Sequence, residues 1–259
     1  MSTVPGIVAV NTFREAVRDR VLYNLVFFAL LMMCAAILVG QISIGIEQMV
    51  IVSLGLSAIS VIGLLMAVFI GVGLVSKEMD KRTLYALLAK PVRRWEFLLG
   101  KFGGLLLTLC INTAAMAAGL FAALYYVKHS LERADGIALV AIYFILLKLA
   151  LVVALALLFS CYTTPLLAIL FTAGLYVSGL FVKEMRGLHS ETMAPAAQAL
   201  LRGLSYILPN FENFDVMASA AHARHIPGML ILQNTAYAAL YCTIVLTAAA
   251  VIFSRRNLK

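Results

Sequence analysis

Charge is what this sequence has least of. Only 12% of its 259 residues are Asp, Glu, Lys or Arg, against about a quarter in a typical soluble domain. Hydrophobic residues make up 63% of the chain and its mean hydropathy is +1.01. A water-facing surface cannot be built around so much apolar material, so a soluble enzyme is excluded and the chain belongs in lipid. Cysteine is sparse as well. Cys34, Cys110, Cys161 and Cys242 lie far apart, which leaves neither a C-x-x-C metal pattern nor a disulfide framework. The absence of H-E-x-x-H and G-x-S-x-G removes the simplest metalloprotease and serine-hydrolase chemistries. No G-x-x-x-x-G-K-[ST] occurs. The one Gly-Lys, Gly100-Lys101, precedes Phe102 and has Trp95 where a phosphate loop needs glycine, so ATP is not bound here in that way.

What is present is apolar sequence in six runs, at 21–40, 49–75, 102–127, 137–160, 165–182 and 229–253. Each approaches the roughly 20 residues that cross about 30 Å of hydrocarbon. Backbone pairing without water requires helices, and the alternation of a lipid-facing barrel strand is missing. The expected fold class is therefore all-α integral membrane, with six transmembrane helices in a single domain over 1–259. The first run reads as a span and not as a cleaved signal, because Arg14, Arg18 and Arg20 precede it and no small-residue cleavage site follows. Residues 10–25 place Val10, Phe13, Val17 and Val21 on one side and Arg14, Glu15, Arg18 and Asp19 elsewhere, which predicts an amphipathic N-terminal elbow helix on the membrane surface.

Six spans with both termini inside divide the charge cleanly. Thirteen Lys and Arg fall inside, six fall outside, and Lys148 lies within a span. The excess of basic residues therefore follows from topology, with both termini cytoplasmic, and requires no nucleic acid. Two connections are long: the cytoplasmic stretch 77–101 and the exterior stretch 183–228. In the latter, Leu200, Leu201, Leu204 and Leu208 share a helical side, predicting a surface or re-entrant helix. All twelve carboxylates fall outside the apolar cores, which removes the usual apparatus of proton- or sodium-coupled transport.

Lys148 is the one ionisable group deep in a span, where insertion costs about 2.5 to 3.5 kcal/mol. It has two readings: a contact on a substrate path, or a structural ammonium bonded to carbonyls or to a polar neighbour such as Asn112. Gly55, Gly63 and Gly71 recur every eight residues and predict close approach of the second span to a neighbour. Asn234 and Gln233 are read as joining helices. His222 and His225 form an H-x-x-H pair that would share a face on a helix, with no third ligand at fixed spacing. They are metal candidates, or a solvated loop pair.

The segment 76–101 carries the most information. Glu78 and Arg82 stand at i,i+4, and Leu84, Leu87, Leu88 and Pro91 lie on one side, which describes a short amphipathic helix. Pro91 stops it, after which 92–97 starts the next helix with Trp95 at headgroup level. A charged helix joined rigidly to two spans is a mechanical handle, and something soluble is expected to push on it.

The pattern E-x-x-x-R-T-L-x-x-L-L-A-K-P-V-x-R-W-E-F-L-L-G-K, Glu78 to Lys101, resembles the cytoplasmic loop of ABC-2 type transporter permeases. It is most similar to the NosY-like branch associated with multicopper-enzyme maturation, whose exterior region carries a pattern like Leu208-Pro209-Asn210-Phe211-Glu212-Asn213-Phe214. Many ABC-2 permeases have Gly before the Thr where this chain has Arg82. The resemblance implies a type V exporter-like ABC-2 fold in a bacterial or archaeal cytoplasmic membrane. It implies a homodimer on a pair of separate ATPase subunits that bind ATP and Mg, with no cofactor in this chain. It further implies ATPase docking through the elbow helix and the coupling helix, by Glu78, Arg82, Thr83, Leu84 and Leu87, with Pro91, Arg93, Trp95, Gly100 and Lys101 setting geometry at the membrane surface. A metal-dependent membrane enzyme using His222 and His225, and a non-transporting scaffold, are the readings from other classes.

Overall fold

The computed structural model describes residues 4–18, 20–43, 45–80, 94–129, 135–187 and 203–255. Hydrocarbon offers no partner for a backbone N–H or C=O, so each segment has to pair its own. Among the described residues the regular structure is helical throughout: α1 (Val4–Val17), α2 (Arg20–Ile42), α3 (Glu47–Asp80), α4 (Arg94–Lys128), α5 (Gly136–Ser160), α6 (Pro165–Leu180), α7 (Val182–Gly187), α8 (Met217–Ala221) and α9 (Gly228–Arg255).

Four of these are long and apolar enough to cross a membrane, over Glu47–Gly73, Trp95–Lys128, Gly136–Ser160 and Gly228–Ser254. Leu30–Gly40 within α2 and Pro165–Leu180 are shorter apolar helices. At 1.5 Å per residue, α3 with 34 residues and α4 with 35 extend about 51 and 52 Å, well beyond the roughly 30 Å of hydrocarbon. Both therefore project from the apolar layer. The apolar run of the second span ends at Val75, and the helix that carries it continues unbroken to Asp80. Polarity changes at Ser76, but Lys77, Glu78 and Met79 are good helix formers and no breaker intervenes.

The short connections at 43–46 and 161–164 make consecutive long helices antiparallel. The ring of Phe97 on α4 stacks on Phe253 of α9 at 6.2 Å, which places the start of α4 and the end of α9 together at the end that carries α1. The far end carries 43, 45–46, 129, 181–187 and 203–227. Helix α5 is the axis. Its residues Leu151 to Leu157 are all buried, and it packs on α3, α4, α6 and α9. Helix α2 lies outside, on α3 and α4, while Met229, Leu232, Leu240, Ile244 and Val251 of α9 face outward. Such exposed aliphatic groups suit lipid and would be a liability in water. Hydroxyls on the spans return to the carbonyl one turn back, as in Thr108 to Gly104, Ser160 to Ala156, Thr172 to Ala168 and Thr243 to Ala239, each at 2.6–2.9 Å. A polar side chain satisfied within its own helix costs little in hydrocarbon.

Small residues set the helix separations. Gly63 faces Leu149 and Gly71 faces Ala156, so α3 and α5 run side by side over two turns, whereas Gly55 faces Leu120 of α4. At the α1 end two helices approach backbone to backbone. A Cβ on Gly104 would stand 2.5 Å from the Ala9 carbonyl oxygen and 2.6 Å from Thr12 Cβ; one on Gly100 would stand 2.6 Å from Val8 Cβ. Gly103, on the same helix, has nothing nearer than Ala9 Cβ at 3.8 Å. Gly104→Ala is therefore expected to destabilise by about 1–3 kcal/mol, since a backbone atom must move. Gly103→Ala should leave stability unchanged or slightly raised. Thermal unfolding of the two variants in the same detergent checks the difference.

Candidate functional site

Helix α1 crosses α4 where the charged approach to the membrane ends and the apolar run begins. Its inner face of Val8, Ala9, Thr12 and Ala16 is small, which is what the Gly100 and Gly104 notches admit. Between them Lys101, only 2% exposed, lays its ammonium 5.7 Å from the centre of the Phe97 ring and 3.9 Å from the Glu15 carboxylate. A buried ammonium needs both an ion partner and an apolar cradle for its stem, and α1 and α4 supply them together. Gly100 and Lys101 thus both stand in the contact with α1. Trp95 lies on the other side of α4, half exposed in a groove of about 330 Å³ with Leu98, Leu99, Leu246 and Ala250. Glu78 lies on the last turn of α3, near the point where the chain leaves the described residues. Arg82, Thr83, Leu84, Leu87, Pro91 and Arg93, with the coupling helix itself, lie outside the described residues.

Lys148 occupies the middle of α5, 4% exposed. Its ammonium donates to Ser60 Oγ of α3 at 2.7 Å, and among the described residues this hydroxyl is its only hydrogen-bond acceptor. The partner suggested by sequence, Asn112, is not the one used. Serine at 60 lies between Gly63 and Ser57 on the face of α3 that approaches α5, so its short side chain leaves room for the lysine. Above this pair sits the far-end segment: Ser57 contacts Met217 Sδ at 4.0 Å, and Asp215 accepts from the Met217 N–H at 3.2 Å.

At the far end, Leu208 to Phe214 works as a clasp. Phe211 and Phe214 are fully buried; Phe211 packs on Tyr176 of α6, and Phe214 on Phe144 of α5 and Tyr237 of α9. The Phe211 N–H donates to the Gly179 carbonyl at 3.1 Å, and a side chain at Gly179 would collide with Pro209 O and the Phe211 ring. The Asn210 N–H donates to Tyr237 Oη, the Asn213 N–H to Asn210 Oδ1, and Asn234 Nδ2 to the Asn213 carbonyl, at 3.0, 3.3 and 2.9 Å. Asn234 thus joins its helix to the clasp, while Gln233 faces outward. Lys183 holds Glu212 at 2.7 Å.

A second far-end tie escaped sequence reasoning. Asp135, 4% exposed, accepts from Lys128 at 3.1 Å and from Gln48 Nε2 at 3.0 Å, joining the ends of α3, α4 and α5. The signal available was an acid two residues ahead of one apolar run, matched to a Lys just after the preceding run. The histidines behave differently from their spacing. Helix α8 ends at Ala221, His222 caps it, and Ala223 takes a left-handed φ of 52°, so His225 does not share a helical face with His222. Among the described residues no group of three or more His, Cys, Asp or Glu is placed to hold a metal. All four cysteines are free.

Against known proteins, the model of the ABC-2 family transporter protein family matches residues 7–258. No curated protein matches the chain.

The Lys148–Ser60 pair generates an asymmetric expectation. Ser60→Ala strips a buried ammonium of its acceptor and is expected to cost about 1–3 kcal/mol or more. Lys148→Met removes the charge itself, leaves Ser60 free to bond back along α3, and should be close to neutral or stabilising. Comparative thermal unfolding of the two variants reads the order, and the reverse order would show that Lys148 draws compensation from elsewhere.

Proposed function

The chain belongs to the ABC-2 transporter family, and on that premise we propose that it is the permease subunit of an ABC exporter whose ATP is hydrolysed by a separate ATPase chain. As a multi-pass membrane protein of this family it is a transport component and not an enzyme. We assign six spans, adding α2 and α6 to the four long helices, in one domain with both termini on the cytoplasmic side of a bacterial or archaeal inner membrane. The permease works as a homodimer of the NosY-like kind, and its partner ATPases hold the ATP and Mg. The observation that carries this reading is the match over residues 7–258, together with the lack of any phosphate loop in the sequence.

The ATPase docks on the segment between α3 and α4, with Glu78, Arg82, Thr83, Leu84 and Leu87 as its contacts and Pro91, Arg93, Trp95, Gly100 and Lys101 holding the geometry. Support comes from α3 and α4, which project beyond the hydrocarbon and are continuous helices on either side of that segment. A rod transmits displacement where a frayed loop would absorb it. Lys148, buried at mid-span and bonded to Ser60, is read as a structural ammonium that ties α5 to α3 and not as a substrate contact.

Replacing Glu78 and Arg82 together by Ala is expected to weaken co-purification with the ATPase by at least about tenfold, on the scale of interface hot spots. Permease-stimulated ATP turnover should fall in parallel while the variant's own unfolding temperature stays put. Association and turnover both indifferent to the change would sink the docking assignment.

A further inference from the structure

We propose that the outward face of α1 is a binding surface for anionic phospholipid headgroups. At 100° per residue, Ile7, Val10, Asn11, Arg14 and Arg18 fall within an arc of about 100°, opposite the Val8, Thr12 and Ala16 face that packs on α4. Ile7 and Val10 are about half exposed, and Asn11, Arg14 and Arg18 are exposed. Apolar side chains and guanidiniums sharing one exposed stripe match a lipid interface, where acyl chains and anionic headgroups meet.

Charge sharpens the match. Glu15 is the acid on α1, and it is turned away from the stripe toward Lys101. Among the described residues Arg14 and Arg18 have no carboxylate partner. The Glu15–Lys101 pair therefore holds the helix and clears its outer face of negative charge. Depth agrees. Helix α1 crosses α4 at Gly100 and Gly104, on either side of the boundary between buried Lys101 and the apolar run that Phe102 opens. That is where headgroups meet acyl chains. Planar, multidentate guanidinium suits phosphate oxygens. The surface does not include the segment between α3 and α4, but it lies on the elbow helix that the resemblance also gives to the ATPase, so lipid and ATPase are rival occupants of this face.

The test places a fluorophore in the stripe: Ile7→Trp in a Trp95→Phe background, since Trp95 is the sole tryptophan. The full chain is reconstituted in bilayers doped with dibromo-phosphatidylglycerol or dibromo-phosphatidylcholine. Both lipids are expected to quench, the anionic one at a mole fraction roughly tenfold lower, on the order of fivefold for each guanidinium less partial screening. Arg14→Gln with Arg18→Gln should erase the preference and keep the quenching. Native mass spectrometry of the unsubstituted chain, scoring retained phosphatidylglycerol against phosphatidylcholine with and without the same two Gln changes, gives the answer independently of the tryptophan exchange. Equal quenching and equal retention of the two lipids overturn the proposal. So does absence of quenching by either, which would put a second permease, and not lipid, over this face.

Discussion

Helices dissolved in lipid gain little by hiding apolar groups from their surroundings, because acyl chains are as apolar as leucine; this bundle is held by closeness. Dispersion between two carbons is worth only about 0.1–0.2 kcal/mol and fades quickly with distance, so the residues that allow helices to touch decide where they touch. Gly63 and Gly71 lay α3 along α5, Gly55 meets α4, and Gly100 and Gly104 seat α1. The axial helix returns the favour with Ala154 and Ala156, both fully buried. Without these notches the elements would still be helices, since the backbone leaves no alternative in hydrocarbon, but they would have no fixed neighbours.

Closeness fixes neighbours, and buried charge fixes register. Three such groups stand at three heights: Lys101 with Glu15 at the α1 end, Lys148 with Ser60 at mid-span, and Asp135 with Lys128 and Gln48 at the far end. Each joins different helices. Apolar surfaces can slide by a residue at little cost, whereas a buried ion that loses its partner pays the whole desolvation penalty. Ties at three levels therefore specify one vertical alignment of α1, α3, α4 and α5.

Much of this was legible in the chain itself. Composition dictated membrane helices, and the eightfold spacing of Gly55, Gly63 and Gly71 announced the packed side of α3. What escaped shares one cause, which is that sequence gives depth along a helix but not which neighbour stands at that depth. Asn112 and Ser60 were both near Lys148 in height, and only the approach of α3 to α5 selects Ser60. The H-x-x-H pair needed a helix that ends at Ala221, just before it. The continuation of α3 past Val75 has its own reason: a change of polarity marks the edge of the hydrocarbon, and a helix stops only at a breaker or cap. Resemblance singled out Leu208 to Phe214, yet the role of Gly179 beneath Phe211 appears only once two segments 30 residues apart are in contact.

These ties also determine how far a movement travels. Segment 81–93 is bounded by the last turn of α3 and the first of α4. Helix α4 cannot shift without α1, because Val8 and Thr12 sit in its glycine notches. Helix α3 cannot shift without α5, because Lys148 would lose Ser60. One turn beyond Ser60, Ser57 touches Met217, and α8 follows directly from the clasp whose Phe214 packs on α5 and α9. A displacement applied at the α1 end thus reaches the far-end clasp through three contacts, none of which relies on a flexible loop. Because interfaces of this kind repack between discrete arrangements and do not deform smoothly, the bundle is suited to pass on a step and poorly suited to pass on a graded push.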